Sequence, residues 1–183
     1  MDVPKTTQTN LKFIFSKLRI NNLIRIFRQY PDIFPNGYFR FLGARLSNHI
    51  DKDTLWYRDG VILTWNIYVR TSKKYSYIKP GDVKLDQLVN KNQGSGKAKE
   101  IIGDFLKTQV SLSDRRLWVE VSNHNKRAIQ FYSKLGFQKY SDIQFGDIQG
   151  CMMELKCRCD IWLYCITEIV MRWWMKSQIT QLI

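Results

Sequence analysis

Apolar residues recur along this chain with two periods, and each change of period marks a boundary between strand and helix. Val83, Leu85 and the Leu88-Val89 pair lie in a run free of Gly and Pro, which reads as a strand over 83–89. Ala98, Ile101, Ile102, Phe105 and Leu106 follow at helical spacing and form one apolar face. Leu117 to Val121 reads as another strand, and 125–135 as another helix, with Ala128, Phe131, Tyr132 and Leu135 on its buried side. Gly136 is available for the left-handed residue that ends that helix. Phe137 to Ile143 and Cys151 to Leu155 complete the pattern as a closing pair of strands.

Upstream, Leu11, Ile14 and Leu18 share a helical face while Lys12, Lys17, Arg19, Arg25 and Arg28 point elsewhere. A helix is expected across residues 10–30, with Asn21-Asn22 as its breaking point. Pro31 and Pro35 bracket a turn, and Gly37 to His49, carrying Phe39, Leu42 and Leu46, is expected as a second helix. Leu55-Trp56-Tyr57 and Val61 to Val69 flank Arg58-Asp59-Gly60, a hairpin signal because Asp-Gly accepts the positive φ of a tight turn. Lys79-Pro80-Gly81-Asp82 is a further turn ahead of the Val83 strand. The division expected is a basic N-terminal segment (1–19), one domain (20–157) and an apolar C-terminal helix (158–183).

That last helix has one polar stripe: Asp160, Tyr164, Glu168, Arg172, Lys176 and Thr180 recur at every fourth position among apolar neighbours. Glu168, Arg172 and Lys176 would each cost about 2.5–3.5 kcal/mol at mid-bilayer, which disfavours a spanning helix. The stripe is also too narrow for an ordinary surface helix. Packing against the domain or a second copy of the chain is the first expectation, giving a homo-oligomer in the latter case. Association with a membrane interface comes second.

The candidate chemistry sits at the junction between the Val83 strand and the Ala98 helix. Gln93-Gly94-Ser95-Gly96-Lys97-Ala98 is a glycine-rich turn at the positive end of a helix dipole, where unpaired N–H groups hold an anion such as pyrophosphate. A nucleoside-triphosphate loop is excluded, since Lys91 and Ala98 stand where it needs a Gly and a Ser or Thr. A dinucleotide fingerprint fails as well: no third Gly follows at the required spacing, and the downstream strand has Glu120 only within its body.

Gln-x-x-Gly-x-Ala resembles the coenzyme A pyrophosphate loop of the GNAT acyltransferase superfamily. The second signature of that superfamily is matched by Asn125-Lys126-Arg127-Ala128-Ile129-Gln130-Phe131-Tyr132, followed by Gly136-Phe137. The two motifs stand in the right order, each at a strand-to-helix junction, and the resemblance covers about residues 20–157. The short lead Val89-Asn90-Lys91-Asn92-Gln93 departs from it by lacking the Pro and aromatic often found there. The resemblance implies an α/β fold, with a mixed, mostly antiparallel central sheet flanked by helices and splayed at the coenzyme A site. It implies acetyl-CoA as co-substrate, with no metal, and acyl transfer to an amine.

By the same resemblance, the backbone of Gly94, Ser95, Gly96, Lys97 and Ala98 would hold the pyrophosphate, with Gln93 at the loop entrance and Lys97 adding charge. Leu88 and Val89 would pair through their backbone with the pantetheine arm, and Asn125 would cap its helix and bond the pantetheine or an ordered water. Tyr132 would be the general acid, since a phenol near pKa 10 stays protonated at neutral pH and can donate to a departing thiolate. The base is left open among Glu120, Asp86, Asp82 and His124. Strand alternation puts Glu120 on the surface, and neither histidine stands out. The alternative from another class is a non-catalytic module that binds acyl-CoA or nucleic acid.

Length and composition narrow the partners only slightly. The chain has 183 residues and 44% apolar residues, enough for one real core. Its net charge is +13, and residues 1–50 carry eight Lys and Arg against two Asp and Glu. Such a bias suits an anionic acceptor, nucleic acid or an acidic surface, but a solvated basic face plus the charge complement of coenzyme A is the preferred reading, since charge alone does not identify a partner. Cys151, Cys157, Cys159 and Cys165 do not have zinc spacing and read as reduced thiols. Met1-Asp2-Val3-Pro4-Lys5-Thr6 lacks an apolar signal segment, so a cytoplasmic location is expected.

Overall fold

The computed structural model describes residues 19–31, 33–34, 36–110, 115–145 and 147–156. Lys12, Lys17, the 1–19 boundary and the helix expected over 158–183 therefore lie outside or at the edge of what is described. A helix α1 (19–27) leads into a 3-10 turn (Asn36–Phe41) and α2 (Leu42–Asp51). Strands β1 (Leu55–Arg58), β2 (Val61–Ile67) and β3 (Val83–Asn90) follow, then α3 (Lys97–Phe105), β4 (Arg116–Ser122), α4 (Lys126–Lys134), β5 (Gln138–Phe145) and β6 (Ile148–Lys156). One six-stranded sheet has the order β1-β2-β3-β4-β6-β5, antiparallel throughout except for the parallel β3–β4 pair. Among the described residues no helix is long and apolar enough to cross a membrane.

Three local expectations are corrected. α1 runs unbroken through Asn21-Asn22, because Leu23, Ile26 and Phe27 bury their side chains against α2 and outweigh the poor propensity of two asparagines. The second helix does not start at Gly37: Asn36–Phe41 is wound more tightly, and the α-helix begins at Leu42. The β2 strand stops at Ile67, leaving Val69 88% exposed. The hairpin forms as expected, with Asp59 and Gly60 at φ of 52° and 77° and Arg58 opposite Val61.

The sheet separates two cores. On one face Val61, Leu63, Trp65, Val83, Leu85, Val119 and Val121 pack with Ile101, Ile102 and Phe105 of α3 and with Tyr132. On the other, α1 and α2 cover Leu55, Ile62 and Val89. Farther along that second face, Tyr75 and Ile78 of the β2–β3 connection cover Trp118 and Met152. Buried Asp82 pins this connection: it accepts from Lys79 N at 2.8 Å and Trp118 Nε1 at 3.0 Å, and pairs with Arg116 Nη2 at 3.1 Å. Between these two covers the second face carries charge instead of hydrocarbon.

Candidate active site

The site begins with a break in the sheet. β3 pairs with β4 only at Val83–Leu117, Lys84–Trp118 and Leu85–Val119, although both strands run on, to Asn90 and Ser122. On its other edge β3 has a bulge at the same place: Gln87 lies opposite Thr64 and Leu85 opposite Trp65, so Asp86 has no partner in β2. A bulge bends its strand and reverses side-chain alternation beyond it. Accordingly Val83 and Leu85 face α3, while Val89 faces α1 and α2 and Leu88 packs on the α3 side. The splay expected at Leu88-Val89 is thus built by one extra residue.

A cavity of about 450 Å³ opens along the parted strands. Of the residues read from the sequence, Leu88, Val89, Gln93, Gly94, Gly96, Ala98, Asn125 and Tyr132 line it, whereas Ser95 and Lys97 do not. Gly94 and Gly96 have φ of 85° and 78°, a region that L side chains enter at a cost, and a Cβ on either would project into open space. Among the described residues the N–H groups of Gln93, Gly94, Gly96 and Ala98 make no hydrogen bond; Ser95 N–H donates to Asn92 O, and Lys97 N–H to Ser95 Oγ at 3.4 Å. Lys97 turns its ammonium to Glu100 at 2.8 Å, at the surface. The cations that do line the cavity are Lys99, Arg127 and Lys134, and Arg127 donates to Gln93 Oε1, tying the loop to α4.

Asn125 caps α4, its Oδ1 accepting from Ala128 N at 3.0 Å. At the other end Gly136 N–H donates to Ser133 O and Phe137 N–H to Tyr132 O, each at 3.0 Å, a Schellman closure with Gly136 at φ 91°. That closure brings the Phe137 ring to 5.2 Å from the Tyr132 ring, with Phe131 at 5.3 Å on another side. Tyr132 is therefore fixed by the very Gly-Phe pair that identifies the motif. Burial raises its pKa well above that of a free phenol. Sequence reading missed Tyr30, Ile33 and Phe34, which form the facing wall. Tyr30 Oη donates to Asn90 O at 2.9 Å and to Lys91 O at 3.1 Å, closing off the end of β3.

On the opposite face the parted strands expose a charged trough. Lys84 Nζ lies 3.2 Å from both Asp86 Oδ1 and Glu120 Oε1. Asp86 Oδ2 also receives Asn66 Nδ2 and lies 3.4 Å from His49 Nε2, while His49 Nδ1 meets Thr54 Oγ1 at 2.8 Å. Burial works against the Lys84 ammonium, but Asp86 and Glu120 outweigh it and hold the lysine well above its ordinary pKa. Burial alone would raise Asp86; the His49 hydrogen bond and Lys84 reverse this and keep its carboxyl below its usual range. Glu120 also meets Lys74 Nζ at 4.0 Å.

These contacts correct two expectations and sort the four candidate bases. Glu120 is not simple surface, since its side chain is 23% exposed and held between lysines. His49 is buried at 4% and is part of the network rather than a bystander. Asp82 is consumed by Arg116 and Trp118, His124 is exposed on a turn, and Asp86 is saturated by three partners. Glu120 stands one residue past the last β3–β4 pair, with its side chain in the trough.

No family model matches the chain, and no curated protein matches its sequence. Solved structures do match its fold. NAA60 of Arabidopsis thaliana, in complex with a bisubstrate analogue, is 18% identical and superposes over 74% of this chain and 92% of its own, with a TM-score of 0.53. The putative acetyltransferase yncA of Salmonella typhimurium, with acetyl-CoA, is 14% identical over 78% and 91% at a TM-score of 0.55. A putative GNAT-family acetyltransferase from Desulfovibrio desulfuricans is 13% identical over 72% and 88%, also at 0.55. With its mixed six-stranded sheet, parted central strands and flanking helices, the chain has the fold of the GNAT superfamily.

Proposed function

We propose that this protein is an N-acyltransferase that moves an acetyl or other short acyl group from coenzyme A to an amine. The observation that carries the reading is the break between β3 and β4, with free N–H groups and Tyr132 on one side and Glu120 on the other. Acetyl-CoA supplies the activated acyl group as co-substrate, and the cavity suits it. The unbonded amides of Gly94, Gly96 and Ala98 at the start of α3 hold its pyrophosphate, and a Cβ on either glycine would fill that space. Lys99, Arg127 and Lys134 add positive charge around it. The unpaired edge of β3 at Leu88 and Val89 offers backbone groups to an extended arm, in the manner of an added strand. Tyr132 stays a phenol across the working pH range and supplies the proton for the leaving sulfur; Glu120 takes one from the amine. The complexes of yncA with acetyl-CoA and of NAA60 with a bisubstrate analogue support this reading.

Tyr132→Phe tests it. The ring packing with Phe131 and Phe137 is retained and only the proton donor is lost. Coenzyme binding should hold while acetyl-CoA turnover falls by about 10²–10⁴-fold. Unchanged turnover would move the acid elsewhere, and binding without turnover in the unaltered chain, for any amine tried, would favour a non-catalytic module.

A further inference from the structure

The trough already holds an amine. Lys74, on the β2–β3 connection, places its Nζ 4.7 Å over the ring of Tyr75 and 4.0 Å from Glu120 Oε1. An aromatic face and a carboxylate together are what a primary alkylammonium requires, through cation–π attraction and an ion pair. Beside it the buried Tyr75 hydroxyl is directed at Glu120, so ring, hydroxyl and carboxylate belong to one site.

Two lysines touch Glu120, and their settings differ. Lys84 is 15% exposed and clamped at 3.2 Å between two carboxylates, so its ammonium is locked. The burial that isolates it is outweighed by those carboxylates, which keep it charged and useless as a nucleophile. Lys74 is 58% exposed, reaches in from a connection, and touches Glu120 only at the limit of an ion pair. Its side chain is not clamped between two carboxylates as that of Lys84 is.

We propose that Lys74 is an acetyl acceptor in cis, so that the protein acetylates its own β2–β3 connection. This rests on the acyltransferase reading above. The Lys74 ammonium releases one proton to the Glu120 carboxylate, and Nζ then bonds to the acetyl carbon as the carbon–sulfur bond breaks. Sulfur leaves as the thiol with the Tyr132 proton, and the phenolate recovers the second amine proton through solvent. The products are an Nε-acetyl-lysine and free coenzyme A. Acetylation removes the cation from the Tyr75 ring and from Glu120, so the modified chain presents the same aromatic–carboxylate site to an external alkylamine. The acceptor class implied is a primary alkylamine such as a lysine side chain.

The full chain is incubated with acetyl-CoA, and intact mass and peptide mapping follow the product, with coenzyme-induced thermal shift measured on the same samples. Lys74 should acquire one acetyl group ahead of the exposed Lys91, Lys99 and Lys134. The rate should saturate with acetyl-CoA and should not depend on protein concentration, as an intramolecular reaction requires. Glu120→Gln should slow it by about a hundredfold or more while leaving the thermal shift in place. Lys74→Arg should shift with coenzyme like the unaltered chain and take up no acetyl group at this position. A normal thermal shift with Lys74 modified no faster than the other exposed lysines overturns the self-acetylation and leaves the acyltransferase reading intact. Absence of any thermal shift overturns both.

Discussion

Where β3 and β4 part, the two faces of one sheet offer opposite chemistries. On the α3–α4 face the site is backbone and hydrocarbon: glycines at positive φ, unbonded amides, Leu88, Phe131 and a buried Tyr132. On the α2 face it is side-chain charge: Lys84 between Asp86 and Glu120, with His49, Asn66 and Lys74 around them. A backbone cradle binds any ligand with a phosphate in the right place, so it suits a universal co-substrate. A network of side chains can be altered residue by residue without disturbing the sheet, so it suits the variable acceptor. One bulged residue, Asp86, serves both, since it separates the strands and carries a carboxylate of the trough.

If the two faces are independent, damage to one should leave the other's readout unchanged. The largest effect is expected at Lys84→Met, which strands two half-buried carboxylates without their cation. Removing one partner of such a buried cluster costs about 3–5 kcal/mol, read as a lower urea midpoint. Coenzyme affinity of the folded fraction should be unchanged, and a loss of affinity would join the faces energetically.

Asp86→Asn sharpens the comparison through pH. The native carboxyl titrates below its ordinary value, so as the solution is acidified the unfolded chain takes up the proton first. Its contribution to stability is therefore complete above about pH 4, the unperturbed carboxylate range. It is lost as pH falls further, through the native value. The asparagine variant should lose less stability between neutral and acidic pH than the unaltered chain does, as measured by urea unfolding at each pH. An identical acid slope in the two proteins would remove Asp86 from the network's electrostatics. The smallest effect is expected on the coenzyme face: Asn125→Ala removes the α4 cap and should cost about 1 kcal/mol, with the acid slope untouched.

The same division explains what could be read from the sequence. The cradle is local, for Gly94, Gly96, Asn125, Tyr132 and Gly136 each lie within a few residues of the turn or cap they make, and a short motif specifies them. The trough comes from α2, β2, the β2–β3 connection, β3 and β4, with partners 36 or 37 residues apart such as Lys84–Glu120 and His49–Asp86. No spacing rule joins them. One trace was visible: the alternation of Val83 and Leu85 breaks at Leu88-Val89, two adjacent aliphatics where period two allows one. That break marks the bulge, but it does not say which residues of other elements face it. Tyr30 and Phe34 were likewise invisible, because their place on the cavity wall is decided by the packing of α1 on α2.

The central claim is that the Gly94–Ala98 turn is a pyrophosphate cradle for coenzyme A, and thermal unfolding with acetyl-CoA in unaltered and Gly96→Glu protein tests it most directly. The glutamate would stand at φ 78° in space now open, adding negative charge beside the free amides. Acetyl-CoA at a hundredfold excess over its dissociation constant should stabilise the unaltered protein by about 2.7 kcal/mol, and Gly96→Glu by nothing measurable at the same concentration. A chain whose melting temperature does not move with millimolar acetyl-CoA, or a glutamate variant that shifts as far as the unaltered chain, would contradict the account.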